Sequence, residues 1–324
     1  MVKLLDKRDV ITFKPFHYPW AYELYRIHEK MHWLLDEVPM GEDIKDWNSK
    51  LSEYERDLIT HIFRFFVTAD EIVSNGYNTL FIPLFPYVEI RMALNSCANR
   101  ESEHMSAYAN LIDTLGLPEV EYSKFLEYKE MKDKYEYAQN FNASDLPNIF
   151  LSIAAFAAFT EGLQLFASFA ILFNFARHNK MKGMGQIISW SSRDEDLHCK
   201  IMLLIFNQLK DEYPEYWTDD LKNKIYECGK TVVEHEDAFI DLAFKGGFLE
   251  NLTAHDIKQY IRYIANRRFY NMGLDPIYDV VDNPLPWMDE VFNAEEYANF
   301  FEIRSTQYAK GALAGEFTED AYNV

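Results

Sequence analysis

Two short strings place a glutamate three residues before a histidine: Glu101-Ser102-Glu103-His104 and Glu195-Asp196-Leu197-His198. On a helix that spacing puts both side chains on one face, so each string offers a carboxylate and an imidazole side by side. Each follows a further acid set in an apolar run: Asp70 stands 31 residues before Glu101, and Glu161 stands 34 before Glu195. Nine histidines and 52 acids in 324 residues give by chance about 1.4 acids three places ahead of a histidine, and three occur, so one pair alone means nothing. The neighbours give these two their meaning. Leu94, Cys97, Glu101, His104, Tyr108 and Leu111 recur at helical steps, as do Ile188, Ser191, Glu195, His198, Met202 and Ile205. Asp70 lies on the face of Phe63, Phe66 and Val67, and Glu161 on that of Ala157, Ala158, Leu165 and Phe169. An isolated buried carboxylate would neutralise or destabilise the fold. Carboxylates converging with two imidazoles make sense around divalent cations, and an oxygen-rich set of this kind suits iron or manganese better than zinc.

The elements that must position these residues are helical. Only 12 glycines and 11 prolines are present, and long stretches lack both. Ser52 and Glu55 form a capping box opening a helix through Asn75. The next helix starts in PLFPYVE and stops near Gly116 and Pro118. EVEYSKFLEYKEMKDKYEYAQNF reads as a surface helix, and residues 148–176 as a continuous apolar helix around Glu161. A break is expected at Gly183-Met184-Gly185, then helices over about 186–209, 217–244 and 254–273, with the pattern dissolving after Leu274. One carboxylate from each of two helices and Glu-x-x-His from each of two others is the arrangement of ferritin-like di-metal bundles. The expected fold is therefore all-α, a ferritin-like helical bundle elaborated with additional helices. A single domain over residues 1–308 with an N-terminal arm and a flexible tail over 309–324 is the expected organisation.

Composition narrows the function. A formal charge of −20 argues against nucleic acid or anionic membrane as a partner. Residues 148–176 are apolar enough to suggest a membrane span, but Glu161 near their middle would be costly in lipid, so a buried bundle helix is expected. Cys97, Cys199 and Cys228 form no Cys-x-x-Cys pair, a usage that suits a reducing cytoplasm, and no signal peptide is visible. HEKMHW at 28–33 matches the His-Glu-x-x-His signature of zinc peptidases. No strand pattern precedes it, however, and Leu35 and Val38 stand where an extended motif needs glycine and a third histidine. His28 and His32 are expected to be helix-face histidines without a catalytic role.

At these residues the chain resembles the small, radical-generating subunit of class I ribonucleotide reductase. The likeness runs from Trp33 to about Gly311 and is carried by FFVTAD around Asp70, ESEHMSAY at 101–108, TEGLQLFASF at 160–169, SSRDEDLH at 191–198, YIANRRFYNMGL at 263–274 and NPLPWM at 283–288. The resemblance implies Asp70, Glu101, His104, Glu161, Glu195 and His198 as metal ligands and Tyr108 as the radical tyrosine. It implies Trp33, Asp194 and Tyr308 as the route by which the radical leaves, and GEFTEDAYNV as a docking peptide, disordered until bound. The cofactor would be a dinuclear centre, two irons first, with two manganese ions or one of each as alternatives. The partners would be a second copy of the chain, the catalytic large subunit reached through the C-terminal tail, and a flavoprotein activase. Leu165 departs from the phenylalanine common at its position. Against this reading stand a free-standing di-metal oxidase or desaturase, which does not require Trp33, Asp194 and Tyr308 together, and a metal-storage protein, whose chains are about half this length.

Overall fold

The computed structural model describes residues 3–7, 12–118, 127–137 and 141–293. Among the described residues there is no β-strand, only an isolated bridge between Leu249 and Leu252. The fold is the expected all-α ferritin-like bundle. In chain order the helices are α1 (Pro19–Lys30), α2 (Gly41–Ser49), α3 (Glu53–Gly76), α4 (Ile82–Leu84), α5 (Val88–Thr114) and α6 (Lys129–Tyr137), followed by α7 (Leu146–Ile153), α8 (Phe166–Arg177), α9 (Lys182–Glu212), α10 (Asp219–Phe244), α11 (Ala254–Asn271) and α12 (Pro286–Asn293). Two π-helical runs interrupt them, Tyr77–Phe81 after α3 and Ala154–Glu161 after α7.

α3 begins where the capping box places it. Ser52 Oγ accepts from the Glu55 amide, and the Glu55 carboxylate accepts from the Ser52 amide at 2.7 Å. Its inner face buries Ile59, Ile62, Phe63, Phe66 and Val73, with Asp70 among them. α3 packs along α5, α5 meets α9, and α9 runs against α8 and the Ala154–Glu161 run. Of these, α3, α5, α9 and the Ala154–Glu161 run surround the centre of the bundle. α5 ends at Thr114 with Leu115 as its C-cap, and Gly116 turns the chain with φ +73°.

The structure corrects several expectations. The apolar stretch is not one helix: α7 widens into the π run, and the Gly162 amide donates to Ala157 O at 3.0 Å before α8 begins. The Leu146–Arg177 stretch is 94% buried in its most apolar window, so packing against other helices accounts for its hydrophobicity. Gly183 and Gly185 break nothing. α9 already starts at Lys182, and the real break lies at Asn179 and Met181, both with positive φ. The glycines serve close approach instead, since a methyl on Gly185 would run into Ala176 of α8. The proposed surface helix is confined, among described residues, to α6, and it is not wholly a surface element: Met131 and Lys134 are buried. Beyond Leu274 the pattern does not dissolve entirely, because Pro286 opens α12.

Candidate metal centre

The six expected ligands converge. Asp70 comes from α3, Glu101 and His104 from α5, Glu161 from the π run, and Glu195 and His198 from α9, all buried. His104 Nδ1 lies 3.1 Å from Glu195 Oε1 and 3.4 Å from Glu101 Oε2. His198 Nδ1 lies 2.9 Å from Glu101 Oε1 and 3.7 Å from both Glu161 Oε1 and Glu195 Oε2. One atom each from Asp70, Glu101 and His104 falls within 4.8 Å, and so does one each from Glu101, Glu161, Glu195 and His198. Glu101 belongs to both groups, as a carboxylate between two adjacent ions would. A π-bulge is a common way to re-aim a functional side chain, and here it carries Glu161 into the cluster.

The donors fit cations and little else. Asp70 Oδ2, both Glu101 oxygens, His104 Nδ1, Glu161 Oε1, Glu195 Oε2 and His198 Nδ1 are buried without a hydrogen-bond partner. Leaving so many polar atoms unpaired would cost a folded protein heavily unless a ligand takes them up. Burial pushes Asp70 well up, with Glu101 adding to the rise, and pushes Glu161 up to about 8. Burial also acts on Glu101, but the two imidazoles overcome it and bring that carboxyl down to about 2. His104 and His198 rise well above their usual range against burial, His104 through Asp194, Glu101 and Glu195, and His198 through Cys97 and then Glu101 and Glu161. Two divalent cations would supply four positive charges against these four carboxylates and relieve the conflict.

The surroundings are ordered toward one edge. Trp33 is buried, and its Nε1–H donates to Asp194 Oδ2 at 2.8 Å. The same oxygen lies 3.2 Å from His104 Nε2, so indole, carboxylate and imidazole form one chain. The Trp33 and His104 rings stack with centroids 5.9 Å apart. Tyr108, also buried, packs against Phe66 at 5.0 Å and Phe63 at 6.1 Å, with its ring 6.3 Å from that of His104. Leu165 is buried just after the π run. Tyr308 and the terminal peptide lie outside the described residues.

Two neighbours escaped the sequence reading. Tyr77 is buried and donates its hydroxyl to Glu161 Oε2 at 2.8 Å. It stands seven residues after Asp70, on the same helical face, and that spacing was the available signal. His28 corrects the expectation of a helix-face histidine without consequence. It is wholly buried, with Nε2 3.3 Å from His198 Nε2. Nothing in the sequence around it marks that approach, which is made by α1 folding across α5 and α9. His32, by contrast, is exposed and lies beyond the end of α1.

A family profile described as "Ribonucleotide reductase, small chain" matches residues 10–284. The probable ribonucleoside-diphosphate reductase small subunit of Invertebrate iridescent virus 3 is 44% identical, over 98% of this chain and 88% of its own. The ribonucleoside-diphosphate reductase subunit beta of Chlamydia pneumoniae is 32% identical, over 93% of this chain and 90% of its own. Among solved structures, the ribonucleotide reductase R2 subunit from Clostridium botulinum superposes with a TM-score of 0.82 at 22% identity, covering 90% of this chain and 94% of that one.

Proposed function

The chain belongs to the ribonucleotide reductase small-chain family, and on that premise we propose that its buried cluster generates a radical at Tyr108 and sends it out through Trp33. As the small subunit of a ribonucleoside-diphosphate reductase, it carries a dinuclear metal centre and works with a large subunit. Asp70, Glu101, His104, Glu161, Glu195 and His198 are the residues that would hold the ions, two irons in the first instance, with manganese in one or both places as the alternative. When bound, the metal pair supplies one-electron oxidising power after meeting dioxygen or a reduced oxygen species. The observation that carries this reading is the set of buried oxygens and imidazole nitrogens without hydrogen-bond partners, gathered in two groups that share Glu101.

The chain's own residues do the rest. Burial, and then the charge of Asp70, raise the Tyr108 phenol well above its usual range. The ring is therefore neutral before oxidation, and loss of its electron must be accompanied by loss of its proton. Phe63 and Phe66 shield the ring and keep water from it. On the outward path, Asp194 Oδ2 holds the Trp33 Nε1–H and can receive that proton when the indole gives up an electron. Asp194 at the same time fixes the orientation of His104, as carboxylates behind metal-bound histidines do. Tyr308 would continue the path, and the last residues would dock on the large subunit of a dimeric enzyme in the cytoplasm.

The test is reconstitution of the metal-free chain with iron, manganese or both, followed by exposure to oxygen species. The expected result is two ions per chain and a tyrosyl paramagnetic resonance signal that disappears in Tyr108→Phe. No such signal with any metal, or one unchanged in the variant, overturns the radical assignment. Nucleotide reduction that proceeds without a separate large subunit would favour the free-standing oxidase instead.

A further inference from the structure

His28 has no task in the function just described, yet it is the group lying behind one of the two ligand histidines. Its Nδ1 is 3.0 Å from Ser96 Oγ, and its Nε2 is 3.3 Å from His198 Nε2. The two rings meet edge to face, with centroids 4.9 Å apart and planes at 78°. Ser96 donates its hydroxyl hydrogen to Ala93 O at 2.8 Å, so it turns a lone pair to His28 Nδ1, and Nδ1 must bring the hydrogen. His28 is wholly buried, and a neutral imidazole carries one N–H, so with the hydrogen on Nδ1 the Nε2 atom is a bare acceptor.

The other end of the contact leads to the same assignment. His198 turns Nδ1 toward Glu101, Glu161 and Glu195. To hold a cation there Nδ1 must be bare, and the hydrogen then sits on Nε2, facing His28. Asp194 Oδ1 is 3.8 Å from His28 Nε2, too distant to compete, and Cys97 Sγ, also nearby, is only a weak hydrogen-bonding group.

We propose that His28 is a positioning residue: fixed by Ser96 as its Nδ1–H tautomer, it accepts the Nε2–H of His198 and holds that ring with Nδ1 bare toward the carboxylates. This inference rests on the di-metal reading and adds a partner to it. The two ligand histidines are then supported differently, His104 by the Asp194 carboxylate and His198 by a neutral imidazole.

The tautomer is read directly in the full metal-free chain labelled with nitrogen-15 in its histidines. Magnetic resonance should show His28 with a protonated Nδ1 and a bare Nε2. A protonated Nε2 overturns the proposal, and this measurement needs no variant to fold. Binding is then followed with Mn(II) alone, counting free ions by paramagnetic resonance. His28→Leu should weaken one of the two ions by about 10- to 100-fold, the usual effect of removing such a support. His28→Gln, whose carboxamide can both accept from His198 and donate to Ser96, should restore most of the loss. Unchanged Mn(II) binding in a folded His28→Leu chain overturns the inference alone. A wild-type chain that binds no Mn(II) overturns the di-metal reading and the inference with it.

Discussion

Tyr108 and Tyr77 are both buried phenols beside the cluster, and they differ in what their hydroxyls meet. Tyr77 is committed to Glu161 Oε2, while Tyr108 sits among aromatic rings with its phenol facing Ser191 and Asp70 the strongest charge acting on it. Replacing each by phenylalanine should therefore separate two roles. Tyr108→Phe should bind two ions yet give no tyrosyl signal and no nucleotide reduction with the large subunit. Tyr77→Phe should keep the signal but leave a Glu161 oxygen without its donor, weakening metal binding by about tenfold. Metal content and paramagnetic resonance on the two variants check both outcomes. Asp194→Asn belongs to the same set: it removes the negative charge behind His104 and should lower metal affinity by about 10- to 100-fold. Trp33→Phe should leave metals and radical intact and abolish turnover with the large subunit. Tyr108 was legible in the sequence because it falls on the stripe of Glu101 and His104. Trp33 was reached through resemblance alone, since it lies beyond the end of α1 and no periodicity ties it to α9.

At the level of elements, the polar residues inside apolar segments turn out to join helices. Lys134 of α6 is wholly buried, with Nζ 2.6 Å from Glu236 Oε1 of α10 and 2.9 Å from Gln164 O. Gln164 Nε2 returns a hydrogen bond to Lys134 O at 3.0 Å, so α6 is tied to the turn that follows Glu161. Glu236→Leu alone would leave the lysine buried without a counter-charge and should cost about 3–5 kcal/mol. Lys134→Met combined with Glu236→Leu should recover most of that, as urea unfolding of the single and double variants will show. Burial lifts Glu236 to about 7 from an ordinary 4.5, against the pull of Lys134. A carboxyl raised in the folded state contributes stability below its unfolded value and loses it as pH rises through the folded one. Between pH 5 and 8 the wild type should thus lose stability relative to Glu236→Gln. Packing also explains the glycines misread as a break. Gly185→Ala would press a methyl on Ala176 and should destabilise by about 1–3 kcal/mol. Periodicity gave the helices and their faces, but a glycine's reason for being there depends on the neighbour across the interface, which one sequence does not display. The π run at Glu161 was hidden likewise, because a bulge leaves the apolar composition unchanged.

For the whole molecule, the bundle carries an internal electrostatic burden in addition to its formal charge of −20. Both were legible in the sequence: acids on apolar stripes beside imidazoles read as ligands because an uncompensated carboxylate is costly in a core. Their convergence was legible from spacing, and Tyr77 had a spacing signal too, whereas His28 from α1 had none, being brought in by tertiary folding alone. The burden couples stability to metal. Ions that bind the folded chain and not the unfolded one stabilise it by about 2.7 kcal/mol each at a hundredfold excess over Kd. Stripping the metals should accordingly lower Tm by several degrees, and Mn(II) or Fe(II) should restore it. The size of that gain should depend on pH in a definite direction. In the metal-free chain Asp70 and Glu161 are raised, Glu161 to about 8, so stability they lend at low pH is lost as pH rises from about 4.5 through 8. His104 and His198, raised by the groups around them, also hold protons that a cation must displace. Ligation needs all of these groups bare, so metal binding releases protons and strengthens with pH. The difference in Tm between loaded and stripped chains should therefore widen from pH 5.5 to pH 8. A difference that stays constant across that range would mean that the groups taking up the metal are not these.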